Sequence, residues 1–418
     1  MRKVFCILLL SIISFNCTKD SGTPNSPTNI LPTLTTTAIT SINSTTVSSG
    51  GNVSSDGGAT VTIRGVCWNT SPNPTIANSH TIDGMGVGTF SSTLTGLNSS
   101  VTYFVRAYAT NSVGIAYGNE ISFTTNAPDI YVTGFERNGT NADARLWKNG
   151  VAIPLTIGPT GSGGYSVFVS GFDVYVAGSE YPLAKLWKNG VPTSLSNGST
   201  NTEARSVFVL GSDVYVVGGD GIATLWKNGI VTSLTNGVNS ATALSVYVVG
   251  TDVYVAGSES NGSFQVAKIW KNGIPTSLSN GTNNAVAISI FVVGNDVYAA
   301  GTIYNGINNV VTLWKNGIPS SLTSGTGGYA DAHSVFVSGT DVYVAGCDNN
   351  TAKVWKNGAP IPLTTGPSGS IAHSVYVVGT DVYASGYNGK VATLWKNGIP
   401  SSLTNGVNNA EAISVFVK

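Results

Sequence analysis

Residues that could do chemistry recur at one position of this sequence, immediately before a repeated Ser-(Val/Ile)-(Phe/Tyr)-Val segment. In the seven copies that position holds Tyr165, Arg205, Leu244, Ile288, His333, His373 and Ile413. Carboxylates stand two residues earlier in three copies, at Glu203, Asp331 and Glu411. Two histidines from neighbouring copies suit a metal site or an acid–base pair, but the sequence offers no third ligand at a defined spacing. We therefore predict Arg205, His333 and His373 as ligand contacts, with no metal, no cofactor and no catalytic residue.

Signatures of other reactions and partners are absent from the sequence. It has no Gly-x-Ser-x-Gly segment, no phosphate-binding Walker loop and no Cys/His cluster. The sequence does not exclude a pair of carboxylic acids for glycoside cleavage, because separate repeats can contribute the two residues. Lys+Arg and Asp+Glu number 20 each, so the net charge is zero. Binding to nucleic acid or to an anionic membrane surface requires a basic surface, and both are excluded.

The elements that must position these residues are repeats built around Trp-Lys-Asn-Gly, which occurs seven times at intervals of 39–44 residues. Each copy reads as four short strands, A to D. The Ser segment is strand A, an Asp-(Val/Ile)-Tyr segment with a Gly three residues on is strand B, and strands C and D flank Asn-Gly. Asn-Gly favours a type I′ hairpin turn. We expect the Asp to accept backbone N–H bonds, the Trp to pack between sheets and the Lys to be solvated.

The two ends of the repeat array predict how it closes. It begins with a B strand at Asp129 and finishes with an A strand at residues 414–417, so the two ends complete one sheet. Proline stands in strand D of five copies, which places D at an outer edge. A period of about 40–45 residues with four strands is typical of a β-propeller. We predict a seven-bladed β-propeller over residues 129–418, distantly similar to kelch repeats at Gly218 and Trp226.

Differences between the copies point to a binding face. The B–C and D–A connections vary most, and in a propeller both emerge on the same face. The B–C connections carry aromatic and charged residues, which suit the faces and hydroxyl groups of sugars or a protein partner. On this basis we predict as ligand-binding residues Phe135, Arg137, Tyr181, Tyr304 and Tyr387. Loop drift without function is the alternative.

Residues 34–126 contain short alternating segments between Gly, Asn and Ser turns, which is typical of a β-sandwich. The stretch LTGLNSSVTYFVRAYATNSVG resembles the second half of a fibronectin type III domain, and the resemblance covers the whole segment. It implies a tyrosine corner at Leu97 and Tyr103, followed by inward-facing Val105, Ala107 and Ala109. Trp68 is expected in the core. Such modules are usually spacers or adhesion elements, and we predict a spacer, with a binding role of its own as the alternative.

The N-terminus predicts secretion and anchoring. Residues 1–16 have a basic start and an apolar run too short to span a membrane, which predicts a signal peptide. The segment SFNC, ending at Cys17 and followed by TKD, resembles a bacterial lipoprotein signal of the looser Bacteroidetes or spirochaete type. The resemblance implies that Cys17 is lipidated; cleavage and release is the alternative. Residues 17–33 are expected to form a flexible linker.

These features predict an all-β, lipid-anchored monomer at a bacterial outer membrane or cell surface, touching the membrane only through its anchor. Its propeller would bind a glycan or a protein through the variable loop face. Two alternatives remain, a polysaccharide hydrolase or lyase and a docking platform in an envelope complex. The four cysteines are too few for a disulfide framework, so Cys67 and Cys347 are expected to be isolated buried thiols.

Overall fold

The computed structural model describes residues 28–157, 161–196, 201–365 and 369–418. The predicted signal peptide, Cys17 and most of the linker lie outside these ranges. All regular structure in the described residues is β-strand, and they include no helix of the length and apolarity that a membrane crossing needs. The chain divides into two compact units, with the boundary between Ala127 and Pro128.

The first unit consists of two antiparallel sheets. One has the order β1 (Thr33–Thr36), β2 (Val47–Ser55), β5 (Gly88–Leu94). The other has the order β4 (Ser79–His80), β3 (Ile63–Asn69), β6 (Thr102–Thr110), β7 (Ile115–Tyr117), with β8 (Ile121–Thr124) also paired to β6. Alternate side chains of both sheets form a single hydrophobic cluster, as expected for strands with one face turned inward.

Tyr103 fixes the connection that precedes β6. Its hydroxyl oxygen accepts a hydrogen bond from the backbone N–H of Asn98 at 3.0 Å, and both Leu97 and Tyr103 are buried. Val105, Ala107 and Ala109 are fully buried, as predicted. Trp68 differs from the expectation, because it is only partly buried against the edge of the core. It is the penultimate residue of β3 and pairs with Ser79 of the two-residue edge strand β4.

The second unit contains seven four-stranded antiparallel sheets, here called sheets 1 to 7. Sheet 1 contains β9 (Ile130–Asn138), β10 (Asn141–Lys148), β11 (Val151–Pro154) and the C-terminal β36 (Ala410–Val417). The other sheets follow in chain order, each as strands A, B, C and D. Sheet 2 contains β12 (Ser162–Ser170), β13 (Asp173–Glu180), β14 (Leu183–Lys188) and β15 (Val191–Ser194); sheet 3 contains β16 (Glu203–Leu210), β17 (Asp213–Gly219), β18 (Thr224–Lys227) and β19 (Ile230–Ser233). Sheet 4 contains β20 (Ala241–Val249), β21 (Asp252–Ser260), β22 (Gln265–Lys271) and β23 (Ile274–Ser277); sheet 5 contains β24 (Ala285–Val293), β25 (Asp296–Tyr304), β26 (Asn309–Lys315) and β27 (Ile318–Ser321). Sheet 6 contains β28 (Ala330–Ser338), β29 (Asp341–Asp348), β30 (Thr351–Lys356) and β31 (Ala359–Pro362); sheet 7 contains β32 (Ser370–Val378), β33 (Asp381–Asn388), β34 (Val391–Lys396) and β35 (Ile399–Ser402).

Strand pairing in these sheets follows the sequence prediction. The C-terminal β36 pairs with β9, so the two ends of the array share sheet 1. Strand D is the outer edge of every sheet and is exposed along its whole length, where proline is tolerated. In all seven C–D turns the Asn has a φ of 50–52° and the Gly a φ of 80–84°, the two positive values that a type I′ turn requires.

Hydrophobic clusters join each sheet to the next, and one of them joins sheet 7 to sheet 1. Each cluster contains one repeat tryptophan that is no more than 3% exposed. Trp314 of sheet 5, for example, packs against Ala267 and Ile269 of sheet 4, and its indole N–H donates to the Leu278 carbonyl at 3.0 Å. The tryptophans are Trp147, Trp187, Trp226, Trp270, Trp314, Trp355 and Trp395.

At the end of each sheet that carries the A–B and C–D turns, four side chains form the same contacts seven times. In sheet 2 the Lys188 ammonium pairs with the Asp173 carboxylate at 2.8 Å and lies 5.4 Å from the ring centroid of Tyr175. The Asn189 amide donates to Asp173 at 2.7 Å, and its oxygen accepts the N–H of Val174 at 2.8 Å. Bonds from Lys188 and then Asn189 lower the pKa of the Asp173 carboxyl. The prediction that the Asp accepts backbone N–H bonds is therefore wrong, because the turn brings Lys and Asn onto its carboxylate. Lys188 is exposed, as expected, but it also pairs with the Asp.

The two cysteines of the described chain are both buried free thiols, as predicted for Cys67 and Cys347. Burial raises the pKa of the Cys67 thiol to about 11 and that of Cys347 to about 12. Neither thiol is therefore a nucleophile near neutral pH.

Candidate functional site

A β-bulge in strand A of every sheet creates the candidate site. The pairing of strand A with strand B shifts by one residue just before the repeated Ser, and the residue left unpaired is the variable one. In sheet 6, for example, Ala332 pairs with Gly346 and Ser334 with Ala345, which leaves His333 without a partner on strand B. A bulge redirects the side chain of its extra residue.

The invariant glycine of strand B makes this bulge possible. In each sheet a Cβ at that glycine would lie 1.9–2.1 Å from a backbone carbonyl oxygen of strand A, as at Gly346 opposite the Asp331 carbonyl. No other residue fits there without moving the strand. Glycine inside a strand pattern is a known sign of a bulge, so this residue is the sequence signal that could have located the site.

The seven bulge residues line one cavity of about 420 Å³. The repeated serines, Phe135 and Glu411 complete its wall. The seven strands A contact one another in a closed cycle, so every sheet contributes to the cavity. The variable residues that the sequence spreads over about 250 positions are thus brought around one space. Arg205, His333, His373 and Phe135, all predicted as ligand contacts, are among the lining residues.

The serine hydroxyls link neighbouring strands A in a ring. Each Ser Oγ accepts the backbone N–H of the following sheet at 3.1–3.3 Å, and the cycle closes where Ser414 accepts the N–H of Val167. These bonds satisfy N–H groups on the free edge of strand A. No acceptor for the serine hydroxyl hydrogens occurs in the part of the chain that the structure describes, so these hydrogens are available to a ligand in the cavity.

Below the serines, seven aromatic rings form a second layer. They lie two residues after each serine, and neighbouring ring centroids are 4.7–5.0 Å apart around the complete cycle. Five are phenylalanines; the other two are Tyr247 and Tyr376. Burial raises the pKa of the Tyr376 hydroxyl to about 12. Residues two apart face the same side of a strand, so this layer lies next to the serines along strands A, although its rings are not among the residues that line the cavity.

One polar arc of the cavity belongs to sheets 2 and 3. The Tyr165 hydroxyl lies 3.1 Å from both a Glu203 carboxylate oxygen and the Ser179 hydroxyl. The Arg205 guanidinium stacks 4.9 Å from the Tyr165 ring centroid and pairs with Glu203. Burial, followed by the Glu203 charge, raises the pKa of the Tyr165 hydroxyl. This arc therefore presents the protonated Tyr165 phenol beside the Arg205 guanidinium, whose charge is balanced by the Glu203 carboxylate.

A second polar arc belongs to sheets 6, 7 and 1. The His333 and His373 rings meet edge to face at 4.8 Å, and His373 Nε2 lies 3.2 Å from a Glu411 carboxylate oxygen. Burial raises the pKa of the Asp331 carboxyl to about 6. Burial, then His373, lowers the pKa of His333 well below its usual value, so its 3.8 Å approach to Asp331 is not an ion pair at neutral pH.

Unused hydrogen-bonding atoms remain in this second arc. Asp331 accepts from the Tyr329 hydroxyl at 3.1 Å through one oxygen only. Its other oxygen, Oδ1, and His333 Nε2 are buried and have no hydrogen-bond partner among the residues described. Buried polar atoms usually have partners, so these two mark a place where the protein itself leaves bonding capacity open.

The structure separates the other predicted contact residues from the cavity wall. Tyr181 lies in the B–C turn of sheet 2 and is 61% exposed, whereas Tyr304 ends β25 and donates to the Gly306 carbonyl at 3.0 Å. Arg137 lies 5.7 Å from the Phe135 ring centroid and is exposed. Tyr387 packs behind His373 with 5.7 Å between ring centroids. Except for Tyr181, their predicted place in loops is wrong, because strand B continues almost to a tight turn.

Metal ligands are not grouped in this site. Within the described ranges no three His, Cys, Asp or Glu side chains are arranged to hold a metal ion. The arrangement offers hydroxyls, imidazoles, a guanidinium and a carboxylate in one cavity, with a layer of aromatic rings next to it along strands A.

Comparisons with known proteins add little to this geometry. No protein-family model matches the sequence, and no curated protein matches it. A crystal structure of the computationally designed Ika8 protein is 16% identical, covers 71% of this chain and 89% of its own, and has a TM-score of 0.38. A crystal structure of a nidogen/laminin complex is 11% identical, covers 56% of this chain and 92% of its own, and has a TM-score of 0.38. A crystal structure of a DUF4784 family protein from Bacteroides caccae is 10% identical, covers 93% of this chain and 99% of its own, and has a TM-score of 0.28. At these TM-scores the similarities carry no argument.

Proposed function

We propose that the second unit is a seven-bladed β-propeller that binds a glycan in its axial cavity. Three observations support the propeller: seven four-stranded sheets, a sheet shared by the two ends of the array, and hydrophobic clusters that join sheet 7 back to sheet 1. The axis is the line around which the seven strands A are arranged. The protein is a binding module rather than an enzyme, and it acts as a monomer.

The rest of the chain presents this module at a bacterial outer membrane or cell surface. The first unit is a fibronectin type III-like spacer, a proposal supported by its two sheets and by the Asn98–Tyr103 hydrogen bond at the position of a tyrosine corner. Residues 1–17 are a lipoprotein signal ending at a lipidated Cys17. This part rests on the sequence resemblance alone.

The convergence of the variable residues on one cavity carries the functional proposal. Its volume of about 420 Å³ lies within the range of small-molecule sites, about 300–1,000 Å³. Aromatic rings pack against the C–H faces of sugars. Serine hydroxyls and neutral imidazoles donate to and accept from sugar hydroxyls, and carboxylates accept from them. A glycan fits better than a protein partner, because the residues that differ between blades point into a cavity rather than outward.

A glycan array probed with the purified mature protein tests this function. His373→Ala removes a cavity side chain that is bonded to Glu411, and we expect the affinity for the array hit to fall about tenfold or more. His80→Ala is the matched control, because His80 is an exposed histidine of the first unit. Its affinity should stay within twofold of the wild type. A folded protein that binds no glycan on a broad array would contradict the proposal.

A further inference from the structure

The layer of seven aromatic rings next to the cavity limits what can pass through the centre of the seven strands A. With neighbouring centroids 4.7–5.0 Å apart, seven symmetrically arranged rings lie about 5.6 Å from the axis. The half-length of a phenyl ring and a carbon contact radius of about 1.9 Å then leave an opening about 4–5 Å wide. Two of the seven rings, Tyr247 and Tyr376, carry a hydroxyl in addition. A pyranose ring with its hydroxyls is wider than this opening.

The side wall of the cavity is continuous as well. The serine hydrogen bonds join every strand A to the next, including β36 to β12. Behind them the tryptophan clusters fill the spaces between sheets. An internal segment of a polysaccharide needs a groove that is open at both ends, and the described residues of this cavity provide no second opening of that width. A chain can enter only at the mouth, past Phe135 and the bulge residues.

We infer that the cavity takes the end of a glycan chain, one or two terminal sugar residues, and excludes internal segments. The inference rests on the proposed function and adds the form of the ligand. Leu244 and Ile288 separate the two polar arcs on one side of the mouth, and Ile413 separates them on the other. The terminal sugar therefore meets apolar side chains between two sets of polar groups, Tyr165 with Arg205 and His333 with His373.

Calorimetric titrations with defined oligosaccharides test end recognition. The probes are linear cello-, chito-, malto- and galacturono-oligosaccharides of two to six residues, together with a cyclic malto-oligosaccharide, each titrated into the mature protein. We expect a stoichiometry of one protein molecule per linear oligosaccharide. The Kd, expressed per mole of oligosaccharide, should change less than twofold between chains of three and six sugar residues. The cyclic probe, which has no end, should not bind. Stoichiometry that rises with chain length, or a cyclic probe that binds as tightly as its linear counterpart, would overturn the inference.

A pair of identical substitutions separates this inference from the function on which it rests. Ile288→Trp places a larger side chain in the cavity, whereas Ile274→Trp makes the same change on exposed strand D of sheet 4. We expect at least a tenfold loss of affinity for Ile288→Trp and a change within twofold for Ile274→Trp. Equal binding of linear and cyclic probes that is lost in Ile288→Trp would overturn end recognition but leave glycan binding in the cavity intact. Binding of no probe by folded wild-type protein would overturn both.

Discussion

The two ends of the seven sheets carry different kinds of side chain. At the end with the A–B and C–D turns, each sheet repeats the same Asp, Tyr, Lys and Asn, with Lys–Asp distances of 2.7–2.8 Å in all seven. At the other end, the bulge position holds a phenol, a guanidinium, two imidazoles and three aliphatic side chains. Identical contacts in all seven sheets stabilise each sheet in the same way. Recognition of a ligand without sevenfold symmetry requires side chains that differ from sheet to sheet, as those at the bulge do.

Residues that lie close together in the chain therefore have separate roles, in stability at one end of the sheets and in binding at the other. Substitutions among the repeated residues should change stability, and substitutions at the bulge should change binding. Asp331 stands at the variable end with only 15% of its side chain exposed, so a substitution there shows whether a residue of that end also affects stability.

Loss of a repeated tryptophan is expected to have the largest effect. Trp314→Ala removes a fully buried indole from the cluster between sheets 4 and 5 and leaves the Leu278 carbonyl without its donor. We expect the free energy of unfolding to fall by about 3–5 kcal/mol, measured by urea denaturation. Ile274→Ala, on an exposed edge strand, should change it by no more than about 0.5 kcal/mol. Equal effects of the two substitutions would show that the clusters do not hold the sheets together.

The raised pKa of the Asp331 carboxyl predicts that the stability of the protein depends on pH. Burial raises the pKa of this carboxyl to about 6 in the folded state from an ordinary 3.8. The folded state therefore favours the proton, and a stabilisation that is complete below pH 3.8 is lost as the pH rises through 6. Asp331→Asn removes this loss, so its stability relative to the wild type should increase by about 2–3 kcal/mol between pH 4 and pH 7.

Urea denaturation at unit pH intervals measures this difference. His333 has the opposite sign, because its lowered pKa costs stability as the pH falls below 6.5, but both proteins contain it. The exposed Asp220→Asn serves as control and should show no comparable trend. A difference between Asp331→Asn and wild type that stays flat from pH 4 to pH 7 would contradict the buried position of this carboxyl.

The C–D turns predict the smallest effect. Asn189 has a φ of 52°, and its side chain bonds both Val174 and Asp173. Asn189→Ala should lower the free energy of unfolding by about 1–2 kcal/mol, since alanine disfavours positive φ and bonds neither partner. Asn189→Gly, which accepts positive φ, separates the two causes and should cost less. A glycine variant as unstable as the alanine variant would assign the whole effect to the side-chain bonds.

The parts of this fold that the sequence predicts are those specified by neighbouring residues. Asn-Gly predicts each C–D hairpin, proline two residues after that glycine predicts the edge strand, and the incomplete repeats at Asp129 and Ser414 predict the shared sheet. Each signal lies within a few residues and acts through backbone conformation or a missing N–H group. The order of strands follows directly from them.

The parts that the sequence does not predict depend on contacts between strands. The bulge at His333 is a shift of one residue in the pairing of β28 with β29, and counting residues along the chain does not reveal it. Lys188 and Asp173 are 15 positions apart and meet only after the hairpin forms. Tyr181 and Tyr387 look equivalent in the sequence, but only Tyr387 packs against a cavity residue, because it lies within a strand.

A crystal structure of the mature protein with its array-selected oligosaccharide bound tests the central claim most directly. We expect electron density for one or two terminal sugar residues inside the cavity, in contact with Arg205, His373 and the serine hydroxyls, with the remaining chain leaving through the mouth. An oligosaccharide bound around Tyr181 or Tyr304, outside the cavity, with the cavity holding only water, would contradict this claim.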